Sequence, residues 1–181
     1  MDDKRFFLER VINENPESKI VVFVRTKVRA ERVLKAMERV NIKSQTIHSG
    51  KDQEARTQVM DQFRKGICKV LIATDVSARG VDLPNIDYVV NYDLPDVAEN
   101  YVHRVGRTGR GSEKGQAVSF CGAEEKDMLA QIEENLGKPI ARVEISKSDY
   151  SYTLESTTPA ETDWKSLMKS ANEGHKGKKK K

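Results

Sequence analysis

Cysteine occurs only twice in this 181-residue chain, at Cys68 and Cys121, and two cysteines cannot make a disulfide scaffold. Both sit in apolar segments, so both are expected as buried thiols in a reducing compartment. Histidine is nearly as scarce, with three residues, and none is spaced with cysteine or carboxylate as metal ligands would be. No metal is expected to be held by this chain. Long apolar runs are missing too. The longest, Ile20 to Val24, falls far short of the roughly 20 residues that cross a bilayer, so no membrane association is expected. The opening Met1-Asp2-Asp3-Lys4-Arg5 lacks the apolar core of a signal peptide, and a cytoplasmic location is the expectation. Also absent is any G-x-x-x-x-G-K-[ST] phosphate loop. Without it, the apolar run ending at Asp75 (VLIATD) is not read as a strand leading to a Mg²⁺-binding aspartate.

What the chain does have is charge. Asp, Glu, Lys and Arg make up 33% of the residues, and the mean hydropathy is −0.66, which suits a soluble protein. The formal net charge of +4 misleads, because the last eight residues, Gly174 to Lys181, hold five lysines and no acid. Without them 27 basic and 28 acidic side chains remain, so any polyanion site in the folded part must be a local patch. The run Lys178 to Lys181 reads either as a sequence-blind contact to nucleic acid that weakens with salt, or as a solubilising tail.

Along the chain, helical and strand patterns alternate. Phe6 to Asn13 pairs Phe7 with Val11 and Leu8 with Ile12, an amphipathic helix stopped by Asn15-Pro16. Lys19 to Val24 is a continuous β-branched run, the pattern of a strand covered on both faces. Lys27 to Val40 carries a helical stripe at Ala30, Val33, Leu34 and Met37. Ser44 to His48 reads as a strand. A helix capped by Asp52 runs to Lys65 with Ala55, Val59 and Phe63 inward, closed by Gly66. Lys69 to Ala73, Asp87 to Tyr92, Gln116 to Cys121 and Arg142 to Ile145 read as further strands, with helices from about Asp96 to Val105 and from Glu124 to Leu136. Beyond Ser146 periodicity fades, and a tail is expected. The pattern predicts an α/β sandwich with a mostly parallel sheet and helices on both faces. Ligands of such sheets bind at the carboxyl ends of the strands.

Three segments carry chemistry. His103-Arg104-Val105-Gly106-Arg107-Thr108-Gly109-Arg110 sets three arginines at three-residue intervals with no acid among them, and its glycines favour a loop. Guanidinium groups match phosphate oxygens two at a time, so the octapeptide reads as a phosphate-facing loop. On these eight residues alone, a solvated basic loop is an equal reading. Ala73 to Asp82 (ATDVSARGVD) leaves a strand with two hydroxyls, an arginine and two carboxylates: Thr74, Ser77 and Arg79 suit phosphate, and Asp82 suits a sugar hydroxyl. The alternative is a loop whose Asp and Ser cap turns. Gln53 and Arg56 share one face at a helix start, where free N–H groups attract phosphate, though Arg56 alone is as readily a surface charge.

Taken together and in this order, Val22 to Thr26 (VFVRT), Gln53 to Arg56, Ala73 to Asp82 and Tyr101 to Arg110 (YVHRVGRTGR) resemble motifs IV, IVa, V and VI of the second RecA-like domain of DEAD-box RNA helicases. The resemblance covers roughly residues 19–146 and implies a RecA-like three-layer α/β/α sandwich. Residues 1–18 are then a lead-in helix and linker remnant, and 147–181 a largely disordered tail with a basic end. The lysine-ended tail looks like the bacterial RhlE-type branch. The resemblance implies that Arg107 and Arg110 act as arginine fingers on the γ-phosphate of ATP, and that His103 and Arg104 couple the two domains across the cleft. It implies RNA phosphate contacts from Arg56, Thr74, Arg79 and the backbone around Gly50, and a nucleotide ribose contact from Asp82. ATP with Mg²⁺ would be held mainly by the family's first domain. That domain's Walker A loop, Asp-Glu-Ala-Asp sequence and Ser-Ala-Thr motif are not in this sequence. The implied partners are RNA and that N-terminal RecA-like domain. The fragment is expected to be monomeric, and inactive as an ATPase without its partner lobe.

Overall fold

Apolar side chains at alternate positions of four-residue strands face opposite ways, and this sequence has enough such strands to need cover on both sides. The computed structural model describes residues 3–78, 86–109, 115–143 and 145–157. Five strands, β1 (Ile20–Phe23), β2 (Ser44–Ile47), β3 (Val70–Ala73), β4 (Tyr88–Asn91) and β5 (Gln116–Ser119), form one sheet in the order β2-β3-β1-β4-β5. Every pairing is parallel, with Ile20 beside both Val70 and Tyr88. Parallel neighbours require crossovers, and helices supply them.

On one face α1 (Lys4–Glu14) and α2 (Lys27–Arg39) bury Leu8, Ile12, Ala30, Val33 and Met37 against Ile20, Val22, Val70, Ile72 and Val90. On the other, α3 (Gln53–Arg64) packs Val59, Met60 and Phe63 onto Val21, Phe23, Ile47, Leu71 and Val89. A smaller cluster joins Tyr101 of α5 (Ala98–Val105) and Ile132 of α6 (Lys126–Leu136) around Leu94. Each fully buried aliphatic or aromatic side chain contributes about 1.5–3 kcal/mol, so these facings decide the fold. The result is the three-layer α/β/α sandwich, RecA-like in its architecture.

Caps fix the helix starts. The Thr26 hydroxyl accepts from Arg29 N at 3.1 Å, and the Asp52 carboxylate accepts from Ala55 N at 2.7 Å. Gly137 closes α6 at φ +64°, a left-handed backbone that glycine adopts without a Cβ penalty.

The lead-in helix, α1, lies within the same compact unit as the sheet, which runs from Met1 to Glu144. Several expectations need correction. The helix expected from Glu124 begins as a 3-10 turn, Ala123–Glu125, because the Glu125 carboxylate turns inward onto Gly122 N (3.0 Å) and Leu94 N (3.1 Å). The final strand expected over 142–145 is not one: Arg142, Val143 and Ile145 have no strand partner, and Val143 is 90% exposed. Glu133 of α6 takes Ile140 N at 2.9 Å and Arg142 Nη2 at 2.8 Å, which holds this segment along the helix instead of a sheet edge. The Ile140 N–H, outweighing burial together with Arg142, holds the Glu133 carboxyl below its usual range. Cys68 is buried as expected, and its thiol is pushed up by burial; Cys121 is exposed, because β5 has ended before it.

The second compact unit, Ile145–Lys181, holds α7 (Lys147–Thr157) where only a tail was expected. Ser146 accepts from Asp149 N at 3.1 Å and starts it. The spacing Ser146-x-x-Asp149 is a capping signal that the apolar periodicity misses. The rest of the tail, with Trp164, Leu167, Met168 and the lysine run, lies outside the described residues.

Candidate functional site

Strand exits from β3, β1 and β4 share one rim of the sheet, and its centre is a buried arginine. Arg104 is 2% exposed. Its Nε and Nη2 donate to both oxygens of Asp75 at 2.6 and 2.8 Å, a bidentate pair. Nη1 donates to Asn91 Oδ1 at 3.1 Å and to the Asp93 carbonyl at 2.7 Å, and the guanidinium lies 5.0 Å from the Phe23 ring centroid. Asn91 is itself oriented by Nδ2 donating to Ser119 Oγ at 3.0 Å. One side chain of α5 is thereby fastened to β1, to β4 and to the exit of β3.

A second network lies beside it. Asp93 takes Arg25 N at 3.0 Å and Arg29 Nη2 at 3.2 Å. Glu125, buried, pairs with Lys4 and with Arg25 Nη2 at 3.2 Å; Arg25 Nε also meets Asp96 at 3.0 Å. Lys4 donates further to the carbonyls of Tyr92 (2.9 Å) and Phe120 (3.3 Å), which clamps α1 to the ends of β4 and β5. Burial pushes the Glu125 carboxyl up, but the Gly122 and Leu94 N–H groups and the Lys4 ammonium outweigh it and hold it below its usual range.

After β2 the chain turns at His48. Gly50 N donates to His48 Nδ1 at 3.1 Å, so Nδ1 is bare and the proton sits on Nε2, which donates to Glu31 Oε1 at 2.7 Å. The same oxygen accepts from Thr46 Oγ1 at 2.8 Å. The His48 bond, above all, holds the Glu31 carboxyl below its usual range.

The structure places the sequence-predicted residues as follows. Arg107 follows Gly106, which ends α5, and with His103, Asn100, Arg104, Asp75 and Phe23 it lines a shallow depression at the rim. His103 is exposed in the last turn of α5, so the octapeptide read as a loop begins as helix. Arg104 does not project across a cleft: its guanidinium is occupied inside the lobe. Thr74 is buried, its hydroxyl 3.5 Å from Ser77 Oγ, at the start of a short helix α4 (Asp75–Ala78) where a loop was expected. Arg56 reaches Gln53 Oε1 at 3.4 Å, while its Nε is buried without a partner. Asp52 caps α3 as expected, its carboxylate taking one of the N–H groups at the helix start. Arg79, Asp82 and Arg110 lie outside the described residues.

Glycine at 115 closes the arginine segment. A Cβ there would stand 1.7 Å from Thr108 Oγ1 and 2.3 Å from Gly109 N, and Thr108 Oγ1 in turn donates to the Ile86 carbonyl at 2.9 Å. Sequence reasoning missed Asp75, Asn91, Asp93, Glu125 and Glu31 as partners. Only an anion beside an apolar strand end, as at Asp75 and Asp93, hints that a buried cation must meet it.

Residues 3–112 match the family described as the helicase conserved C-terminal domain. The ATP-dependent RNA helicase DbpA of Bacillus subtilis is 46% identical over 134 residues, 74% of this chain and 28% of DbpA. The DEAD-box protein SrmB of E. coli, solved bound to regulator of ribonuclease activity A, superposes with TM-score 0.73 and 32% identity, covering 79% of this chain and 85% of that one. Domain 2 of the DEAD-box helicase Mss116p, solved bound to an RNA duplex, superposes with TM-score 0.68 and 28% identity, covering 87% and 66%. The chain spans less than a third of the length of the curated relatives it matches.

Proposed function

As the chain belongs to the helicase conserved C-terminal domain family and is a second RecA-like lobe of the DEAD-box RNA helicases, we propose that it supplies arginine fingers and RNA phosphate contacts to an ATP-dependent RNA helicase. The observation that carries the reading is the anchoring of Arg104. With that guanidinium locked on Asp75, Asn91 and Asp93, the end of α5 is rigid, and Arg107 borders a depression whose carboxylate is already neutralised. This donor set suits phosphate oxygens. It does not suit Mg²⁺, since both oxygens of Asp75 are taken.

Bound with Mg²⁺ mainly by a first RecA-like lobe, ATP supplies a phosphoryl group to water. Arg107 and Arg110 stabilise charge on that group, a contribution worth roughly 10³–10⁵ in rate in related nucleotidases. His103 sits beside Arg107 to couple the two lobes, and Asp82 accepts from the ribose. Arg56, Thr74, Arg79 and the Gly50 backbone grip the phosphates of one RNA strand, and closure of the lobes strains that strand away from its complement. Such contacts carry no base information, so the grip is blind to sequence. Alone, the lobe binds RNA weakly as a monomer and does not turn over ATP. The RhlE-type branch is supported only by the lysines of Gly174 to Lys181.

The test is complementation in trans. A DEAD-box first lobe mixed with this chain and RNA is expected to give RNA-stimulated ATPase, and Arg107→Ala or Arg110→Ala to abolish it. Rescue indifferent to both substitutions points instead to a module that only binds RNA.

A further inference from the structure

We infer that the outer face of α2 is a second RNA-binding surface, on which Arg32, Lys35 and Arg39 hold the phosphates of a strand after it leaves the Gly50 turn. The inference rests on the reading of Gly50 and Arg56 as phosphate contacts. α2 buries Ala30, Val33 and Met37, which sets Val28, Arg32, Lys35 and Arg39 together on the opposite side at helical spacing. All four are exposed, and Val28 is 54% so. From Arg32 to Lys35 is about 4.5 Å along the axis, and from Lys35 to Arg39 about 6 Å.

These cations are unengaged. Elsewhere on the surface long basic side chains meet carboxylates: Arg10 with Glu14, Lys65 with Asp61, Lys69 with Glu17 and Arg142 with Glu133. Among the described residues, the side chains of Arg32, Lys35 and Arg39 have no ion-pair or hydrogen-bond partner. Glu31, four residues before Lys35, is its natural helical partner, but that carboxylate is drawn to Thr46 and His48 at 2.8 and 2.7 Å. Arg29 is turned onto Asp93 and Tyr92. Glu38 is the remaining acid of the helix, exposed beside Lys35. α2 therefore shows solvent an excess of positive charge along most of its length.

The stripe is continuous with the proposed grip. Lys27 opens α2 beside the Gly50 turn: a Cβ built on Gly50 would stand 3.7 Å from Lys27 Cδ, and Lys51 follows in the turn itself. From Lys27 to Arg39 the helix runs about 18 Å. A regular row of cations suits a polymer of regularly spaced phosphates, which releases a counterion at each contact. An acidic protein face would meet the same charges, but nothing would make it begin at the Gly50 turn. A strand already held there does begin there. Such contacts lengthen the footprint on RNA and add no sequence preference.

The experiment is fluorescence anisotropy across a salt series, with this chain and two labelled single-stranded RNAs. One is just long enough for the grip at Gly50 and Arg56, and the other is the same strand extended at both ends. Neutralising the stripe, Arg32→Gln with Lys35→Gln and Arg39→Gln, is expected to lower affinity for the long strand roughly tenfold at low salt and to leave the short one nearly unchanged. The slope of log affinity against log salt for the long strand should fall by about two, three phosphates at about 0.7 each. Arg32→Lys with Arg39→Lys keeps the charges and is expected to bind both strands as wild type does. An unchanged slope, a loss equal for the two strands, or a charge-keeping variant that loses as much as the neutral one overturns the inference. The first of these leaves the stripe to an acidic partner or to solvent. If Arg56→Ala weakens the short strand while the neutral variant binds both as wild type does, the RNA grip stands and only the stripe falls. If Arg56→Ala leaves both strands bound as tightly, the grip falls and the stripe with it.

Discussion

A buried guanidinium is costly unless its nitrogens are hydrogen-bonded, and all three of Arg104 are, through four bonds, with a ring beside them. Lysine keeps the charge but not the fork, so it reaches one carboxylate oxygen where arginine takes two. Arg104→Lys is expected to destabilise the lobe by about 3 kcal/mol, since it strands Asn91 Oδ1 or an oxygen of Asp75. Urea denaturation with an unchanged m-value and a lower midpoint would register it; a midpoint equal to wild type would show that the fork is dispensable. None of this was legible in the octapeptide. Glycine and arginine spacing suggest the anion site proposed above, but which arginine faces inward depends on Asp75 and Asn91, brought together only by the sheet.

At the scale of elements the sequence was most readable where burial alone decides. The apolar stripe of α2 and the unbroken run of β1 were expected within a residue or two of where they lie. The readings failed where a polar side chain turned the backbone: Glu125 inward at the start of α6, Glu133 catching the segment after it, and Ser146 opening α7. Apolar periodicity is silent about all three. Glu125 also joins α1 to the start of α6 through Lys4, and its folded carboxyl ionises more readily than a free one. Its stabilisation is therefore complete above the ordinary carboxylate value of 4.5 and is withdrawn as pH falls through the lower folded value. Glu125→Gln is expected to cost about 3 kcal/mol at neutral pH and to flatten the acid limb of the stability curve. Thermal melts from pH 7 down to pH 3 check both; an acid limb as steep as wild type would assign the loss to other carboxyl groups.

For the whole molecule, the net charge resides in the last eight residues and the proposed anion contacts on a rim. Without the last eight residues the chain is nearly neutral. Deleting Gly174 to Lys181 is expected to weaken RNA binding at low salt, to matter progressively less as salt rises, and to affect all RNA sequences alike. Titrations at two salt concentrations with two unrelated duplexes would reveal this, and identical affinities at low salt would remove the tail from RNA binding.

The strand order carries a consequence for how the chain is made. β1 is central, yet both of its neighbours come later: Ile20 waits for Val70 on one side and for Tyr88 on the other. At a ribosome's pace of about 5–20 residues per second, the most apolar segment spends several seconds with both edges bare. During that interval α1, and then α2 and α3 as they emerge, are elements of this chain that can cover the faces of that segment before its edges are paired.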